Sequence, residues 1–135
     1  MIALPARVLA LAGAIALAGC GGGSEPTSPG ARLYSNNCLA CHQRGGDGVP
    51  GVQPPLHGTP VPVGDPGELL RWVMYGERPS TLPRGAYAGV MPQFGYLSDA
   101  DLATLLSYVR SSFGNTAPPV TPAMVAAVRA AHRGG

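Results

Sequence analysis

An all-α fold with extensive loops is the architecture that this 135-residue sequence implies. Three segments beyond residue 60 open on helix-capping residues and continue with apolar residues at helical spacing. No strand–helix–strand pattern surrounds the cysteine-containing stretch near residue 40. With 20 glycines and 15 prolines, about a quarter of the chain disfavours regular structure, so much of the backbone must be loop. Something besides secondary structure has to organise it. The length leaves room for one modest domain.

The nine basic residues are all arginine, and the formal charge is +2. This thin scatter of guanidinium groups makes no nucleic-acid-binding stripe.

Residues 1–20 read as an export segment: Arg7 supplies the positive charge, and 8–17 is an uncharged apolar run containing Leu9, Leu11, Ile15 and Leu17. The run ends in Leu17-Ala18-Gly19-Cys20, which resembles a bacterial lipoprotein box, where cleavage leaves the cysteine as the diacylated first residue. Cys20 is then a lipid anchor on the periplasmic side of a membrane, and Gly21 after it favours the outer membrane over the inner. The competing readings are an uncleaved membrane anchor, for which the run is short, and an ordinary signal peptide with an incidental cysteine. Residues 21–29, GGGSEPTSP, have no apolar face and read as a tether with a coil span of roughly 15–18 Å. The expected organisation is a signal peptide at 1–19, a lipidated tether at 20–29, the folded domain at 30–114, and a proline-rich linker with a last helix at 115–135.

With Cys20 assigned to lipid, Cys38 and Cys41 remain as a C-x-x-C pair followed at once by His42. Each thiol can add across one vinyl group of a haem, and two intervening residues on a helical turn separate the sulfurs suitably for the two positions. His42 then points at the iron. A thioredoxin-like redox pair would need a βαβ setting, which is absent from the pattern. A zinc site would need a second pair of ligands, and only His57 and His132 remain, not placed as partners.

From Gly30 to about Gly114 the chain resembles the class I monohaem cytochromes c. The residues that carry the likeness are Gly30-Ala31-Arg32-Leu33-Tyr34 ahead of the Cys38-Leu39-Ala40-Cys41-His42 string, the glycines 45, 46, 48 and 51 after it, then Pro54-Pro55-Leu56, and Gly89-Val90-Met91-Pro92. The resemblance implies N- and C-terminal helices crossing around one covalently bound haem c. It implies that the glycines let backbone pass close to the porphyrin, that the Pro54 carbonyl accepts from His42 Nδ1–H, that Leu56 packs on the haem face, and that Met91 is the sixth iron ligand. His57 is then an exposed loop residue rather than a ligand.

The helices follow from their caps. Asp65 precedes Pro66 and, three residues on, Glu68; the apolar run Leu69, Leu70, Trp72, Val73 ends at Gly76. Ser98-Asp99-Ala100-Asp101 opens a helix with Leu102, Leu105, Leu106, Val109 and Phe113 on one face, expected to cross the first helix near Leu33 and Tyr34. Thr121-Pro122 opens an alanine-rich helix through Val125 and Val128, with His132 as a solvated charge at its end. Between Gly76 and Leu97 lie about twenty residues with Pro79, Pro83 and Pro92 and no apolar period, a length that needs a scaffold. Trp72, Tyr75, Tyr87, Phe94 and Tyr96 are candidates to line the haem pocket, and Arg78 and Arg84 to pair with its propionates.

The function implied is single-electron transfer to and from redox proteins, through a haem edge near Leu39, Ala40 and Val90, by a monomer or by a subunit of a membrane-associated dehydrogenase or terminal oxidase complex. With no lysine to steer acidic partners, docking should depend weakly on salt.

Overall fold

Ser28 starts the first helix: its hydroxyl oxygen accepts from the Ala31 N–H at 3.1 Å, and Pro29 occupies the first helical position, where no N–H is needed. In the computed structural model, which describes residues 28–134, the helices are α1 Pro29–Asn37, α2 Leu39–His42, α3 Pro60–Val63, α4 Pro66–Tyr75, α5 Asp99–Ser111 and α6 Pro122–Arg133. Among the described residues there is no strand, only an isolated antiparallel bridge between Val49 and Gln53. The fold is all-α. The expected export segment, Cys20 and residues 21–27 of the tether lie outside the described residues. Among the described residues no helix is long and apolar enough to cross a membrane.

Helix α1 packs on α5. A Cβ on Gly30 would stand 2.6 Å from Tyr108 Cβ and 3.1 Å from the Thr104 carbonyl oxygen, so glycine is what lets the two helices meet. Tyr34, Leu105 and Val109 form the buried centre of this crossing, with Leu33 packed against it. The expected apolar face of α5 is buried from Leu102 to Val109, but Phe113 is not part of it. The helix stops at Ser111; Phe113 lies beyond the cap at φ 60 and turns its ring back onto Tyr34, with centroids 5.1 Å apart. A bulky residue in the left-handed region is unfavourable, and packing against Tyr34 and Tyr108 offsets that cost.

Helix α4 has the caps its sequence implies. Asp65 Oδ1 accepts from Glu68 N–H at 2.7 Å, and Gly76 closes the helix at φ 74. Ser98 Oγ accepts from Asp101 N–H at 3.1 Å and donates to Asp101 Oδ2 at 2.7 Å, a reciprocal cap for α5. The larger core cluster joins Leu70 and Met74 of α4, Leu102 and Leu106 of α5, and Val120 and Val125 at α6. Complete burial of each such side chain contributes about 1.5–3 kcal/mol.

The segment after Asn115 is therefore built into the core. Ser107 Oγ donates to the Val120 carbonyl at 3.0 Å and accepts from the Val120 N–H at 2.9 Å, while Val125 is wholly buried. Arg110 of α5, 2% exposed, donates to the carbonyls of Pro118 at 2.6 Å, Pro62 at 2.8 Å and Gly64 at 3.0 Å. It ties α3 and the approach to α6 onto one helix.

Candidate haem site

The cysteine pair sits on the turn between α1 and α2. Cys38 N–H donates to the Tyr34 carbonyl at 2.8 Å, ending α1, and the Cys38 carbonyl accepts from His42 N–H at 2.8 Å, starting α2. The Tyr34 hydroxyl donates to the Gln43 carbonyl at 2.6 Å, closing the far end of α2 where Gln43 takes φ 63. Burial pushes the Tyr34 phenol above its ordinary value, helped by the nearby Cys38. Both cysteines are partly buried and are not joined in a disulfide. Burial, with Cys41 alongside, pushes the Cys38 thiol up to about 12. A redox-active C-x-x-C pair depends on a lowered thiol value, and the surroundings of Cys38 push the other way.

His42 is 7% exposed and its Nδ1 lies 3.0 Å from the Pro54 carbonyl oxygen. A carbonyl only accepts, so the proton is on Nδ1 and Nε2 is left with its lone pair. Burial lowers the value of His42 below that of a free histidine, and the bond to Pro54 partly opposes this. The imidazole is thus neutral and oriented, which is what a metal ligand requires. Pro54 is presented by a loop that folds back on itself: Gly48 N–H donates to the His42 carbonyl at 3.1 Å, Leu56 N–H to the Gly46 carbonyl at 2.7 Å, and Val49 and Gln53 exchange bonds across the bridge. Asn115 Nδ2 donates to the Leu56 carbonyl at 2.8 Å and the Val109 carbonyl at 3.0 Å, holding the end of this loop to α5.

Two adjoining cavities open beside these residues, with empty volumes of about 640 and 990 Å³ including their mouths. Cys38, His42, Pro54, Trp72, Tyr87 and Met91 line both. Cys41 and Val90 line the smaller, Leu56 and Leu105 the larger. Among the described residues no carboxylate lines either cavity, and Arg78 is the one charged side chain that does. A neutral imidazole, a thioether, two thiols and apolar walls suit a large apolar group carrying a metal. The residues present fit a haem.

Met91 comes from the segment between Gly76 and Leu97, which has no helix or strand. On one side Ala88 N–H donates to the Gly51 carbonyl at 2.9 Å and Gly89 N–H to the Val52 carbonyl at 2.8 Å; on the other, Phe94 N–H donates to the Val73 carbonyl at 2.9 Å and Gly95 N–H to the Met74 carbonyl at 3.2 Å. Met91 hangs between these two anchors. Arg78 stiffens the first half of the segment by donating to the Leu82 carbonyl at 3.3 Å and the Pro83 carbonyl at 3.0 Å, with its guanidinium 5.8 Å from the Trp72 ring centre.

Other expectations divide. Of the aromatic candidates, Trp72, Tyr87 and Phe94 line a cavity, whereas Tyr96 is 75% exposed and Tyr75 stacks on His132. Arg84 is exposed and lines neither cavity. His57 also lines neither; its Nε2 lies 3.1 Å from Asp47 Oδ1, on the outside of the glycine loop. Glycines 45, 46, 48 and 51 line neither cavity as well. Gly48 shapes the loop that presents Pro54: it has φ 65, and a Cβ there would stand 2.4 Å from the Gln53 carbonyl oxygen and 2.6 Å from that of Pro54. His132 is exposed in the last turn of α6, and its ring also stacks on that of Tyr75, 3.6 Å away at an interplanar angle of 8°. The bond from the Tyr34 hydroxyl to Gln43 and the amide of Asn115 belong to the site's support and escape sequence reasoning: Tyr34 is legible only as a packing aromatic, and Asn115 has no periodic or motif signature.

Residues 25–109 match the family described as cytochrome c oxidase, cbb3-type, subunit III. The chain is 37% identical over 91 residues to the cytochrome c subunit of a quinone alcohol dehydrogenase of Gluconobacter oxydans, covering 66% of this chain and 19% of that one. It is 32% identical over 100 residues to cytochrome c-552 of Thermus thermophilus, covering 70% of this chain and 67% of that one. It is 36% identical over 112 residues to the fructose dehydrogenase cytochrome subunit of Gluconobacter japonicus, covering 77% and 22%. The chain thus spans about a fifth of the dehydrogenase subunits and two thirds of the Thermus protein.

Proposed function

This chain belongs to the cytochrome c family, and from that premise we propose that it is a periplasmic, lipid-anchored carrier of single electrons whose haem iron is held between His42 and Met91. Membership brings a covalently bound haem c and makes this an electron-transfer protein rather than an enzyme in its own right. The haem supplies one reversible electron.

The observation that carries the ligand assignment is that His42, its Nδ1 engaged by Pro54 at 3.0 Å, and Met91 line the same two apolar cavities. Cys38 and Cys41 are the attachment points, one thioether bond each. The chain orients His42 through Pro54, offers a soft neutral thioether that favours the reduced state, and surrounds both with side chains that keep water and counter-charge away. Ligands fixed from both sides reorganise little when charge changes. Val90, 92% exposed and next to Met91, places an apolar side chain at the rim where a redox partner would meet the haem edge.

The test is the visible spectrum of the oxidised protein: a sulfur-to-ferric-iron charge-transfer band at neutral pH that disappears in Met91→Ala is expected, and its absence from the wild-type protein removes Met91 from the iron. For the anchor, Cys20→Ala should move the protein from the membrane to the soluble periplasmic fraction. Persistence in membranes would defeat that part of the reading.

Membership of a dehydrogenase or oxidase complex is the second reading, favoured by relatives named as dehydrogenase cytochrome subunits. A protein that leaves detergent-solubilised membranes alone, rather than with a dehydrogenase or oxidase, decides for the free carrier.

A further inference from the structure

Helix α6 grips both ends of the loop that carries Met91, and we infer that Arg129 is a positioning residue for that methionine. The inference rests on the proposal that Met91 ligates iron.

The loop has no regular structure of its own, so its closed position depends on what holds its ends. At the exit, Gly95 N–H is bonded to the Met74 carbonyl. Arg129 acts on the same residue from the other side: Nη1 donates to the Gly95 carbonyl at 2.5 Å, Nη2 to the Leu97 carbonyl, and Nε to Asp99 Oδ1 at 2.6 Å. The planar guanidinium thus fixes three groups in one geometry, which a lysine ammonium cannot reproduce. Asp99 is the first residue of α5, where a carboxylate is favoured by the helix N-terminus. At the loop's beginning, His132, on the next turn of α6, stacks on Tyr75 and places Nδ1 3.2 Å from Glu77 Oε1. Withdrawing Met91 requires its loop to swing outward, and Gly95 and Leu97 are where that swing would pull on Arg129.

The consequence is measurable on the full-length ferric holoprotein with imidazole as an exogenous iron ligand. Imidazole binds only when Met91 has left, so its apparent affinity reports the fraction of open loop. Loss of the three charge-assisted bonds in Arg129→Gln should tighten imidazole binding by about tenfold, after discounting for partial exposure of the ion pair. Arg129→Lys should fall between this variant and wild type. Val125→Ala loosens the core beneath α6 but keeps the fork, and is expected to lower the thermal midpoint while changing imidazole affinity by less than about twofold. If Arg129→Gln does not fold, the lysine variant carries the test. A wild-type protein without the charge-transfer band overturns the Met91 assignment and this inference with it. A band in the wild type, combined with unchanged imidazole affinity in the Arg129 variants or an equal change in Val125→Ala, overturns the inference alone.

Discussion

His42 and Met91 face the same cavities, yet they are held there by different means. The His42 side is held mainly by near neighbours in sequence: the Tyr34 hydroxyl reaches Gln43 nine residues on and the Pro54 carbonyl reaches His42 from twelve, with Asn115 adding one tie to Leu56 from 59. The Met91 side is assembled from afar, with Arg129 lying 34 residues from Gly95 and 32 from Leu97. Short loops cost little entropy to close, and long ones only slightly more, but long-range contacts can be lost singly while the rest of the molecule stays folded. The difference teaches that the His42 wall of the cavity belongs to the folding unit, while the Met91 wall is a segment docked on it.

Three changes would break or sharpen this contrast. The largest effect is expected from Cys38→Ala with Cys41→Ala, which takes away both proposed attachment points of the haem. A domain of this size buries little apolar surface unaided, so the double variant should show no cooperative thermal transition by circular dichroism; a sharp transition would mean that the protein core suffices. Next is Gly48→Ala, on the His42 side, where a Cβ would enter the backbone of Gln53 and Pro54 at φ 65. Global unfolding in denaturant should be destabilised by about 2–4 kcal/mol. The smallest is Gly89→Ala, on the Met91 side, where a Cβ would stand 2.6 Å from the Val52 carbonyl oxygen and loosen the anchor before Met91. Here the charge-transfer band should vanish at lower denaturant than the helical signal, with global stability changed by about 1 kcal/mol or less. If Gly48→Ala and Gly89→Ala shift both signals together and equally, the two sides are one unit after all.

The same contrast explains what could be read from the sequence. Caps and spacing are local, so the starts of α4, α5 and α6 at Asp65, Ser98 and Thr121 were legible, as was the helical turn of the C-x-x-C-H string that ends in His42. The glycines after the motif were legible as a loop, but the close approach of Gly48 to Gln53 and Pro54 was not, because it answers to φ and to neighbouring backbone, which one sequence does not display. Phe113 extended the α5 pattern on paper because a period does not announce where a helix stops. Arg129, His132 and Asn115 gave no signal because each acts through one side chain on a distant segment. The last helix looked like an appendage for the same reason, since its anchors Val120 and Val125 are separate valines in a run of small residues.

Arg110 has a consequence for how the molecule comes apart. Its buried guanidinium donates to three carbonyl oxygens, two of them 48 and 46 residues away in the chain. A buried charge deprived of even one such acceptor is costly. Half-formed states, with α5 in place but Pro62, Gly64 or Pro118 still in water, are therefore penalised rather than merely incomplete. The arginine acts as a logical conjunction, rewarding the arrival of two separate loops only when both are present, and so pushes the transition between folded and unfolded towards all-or-none.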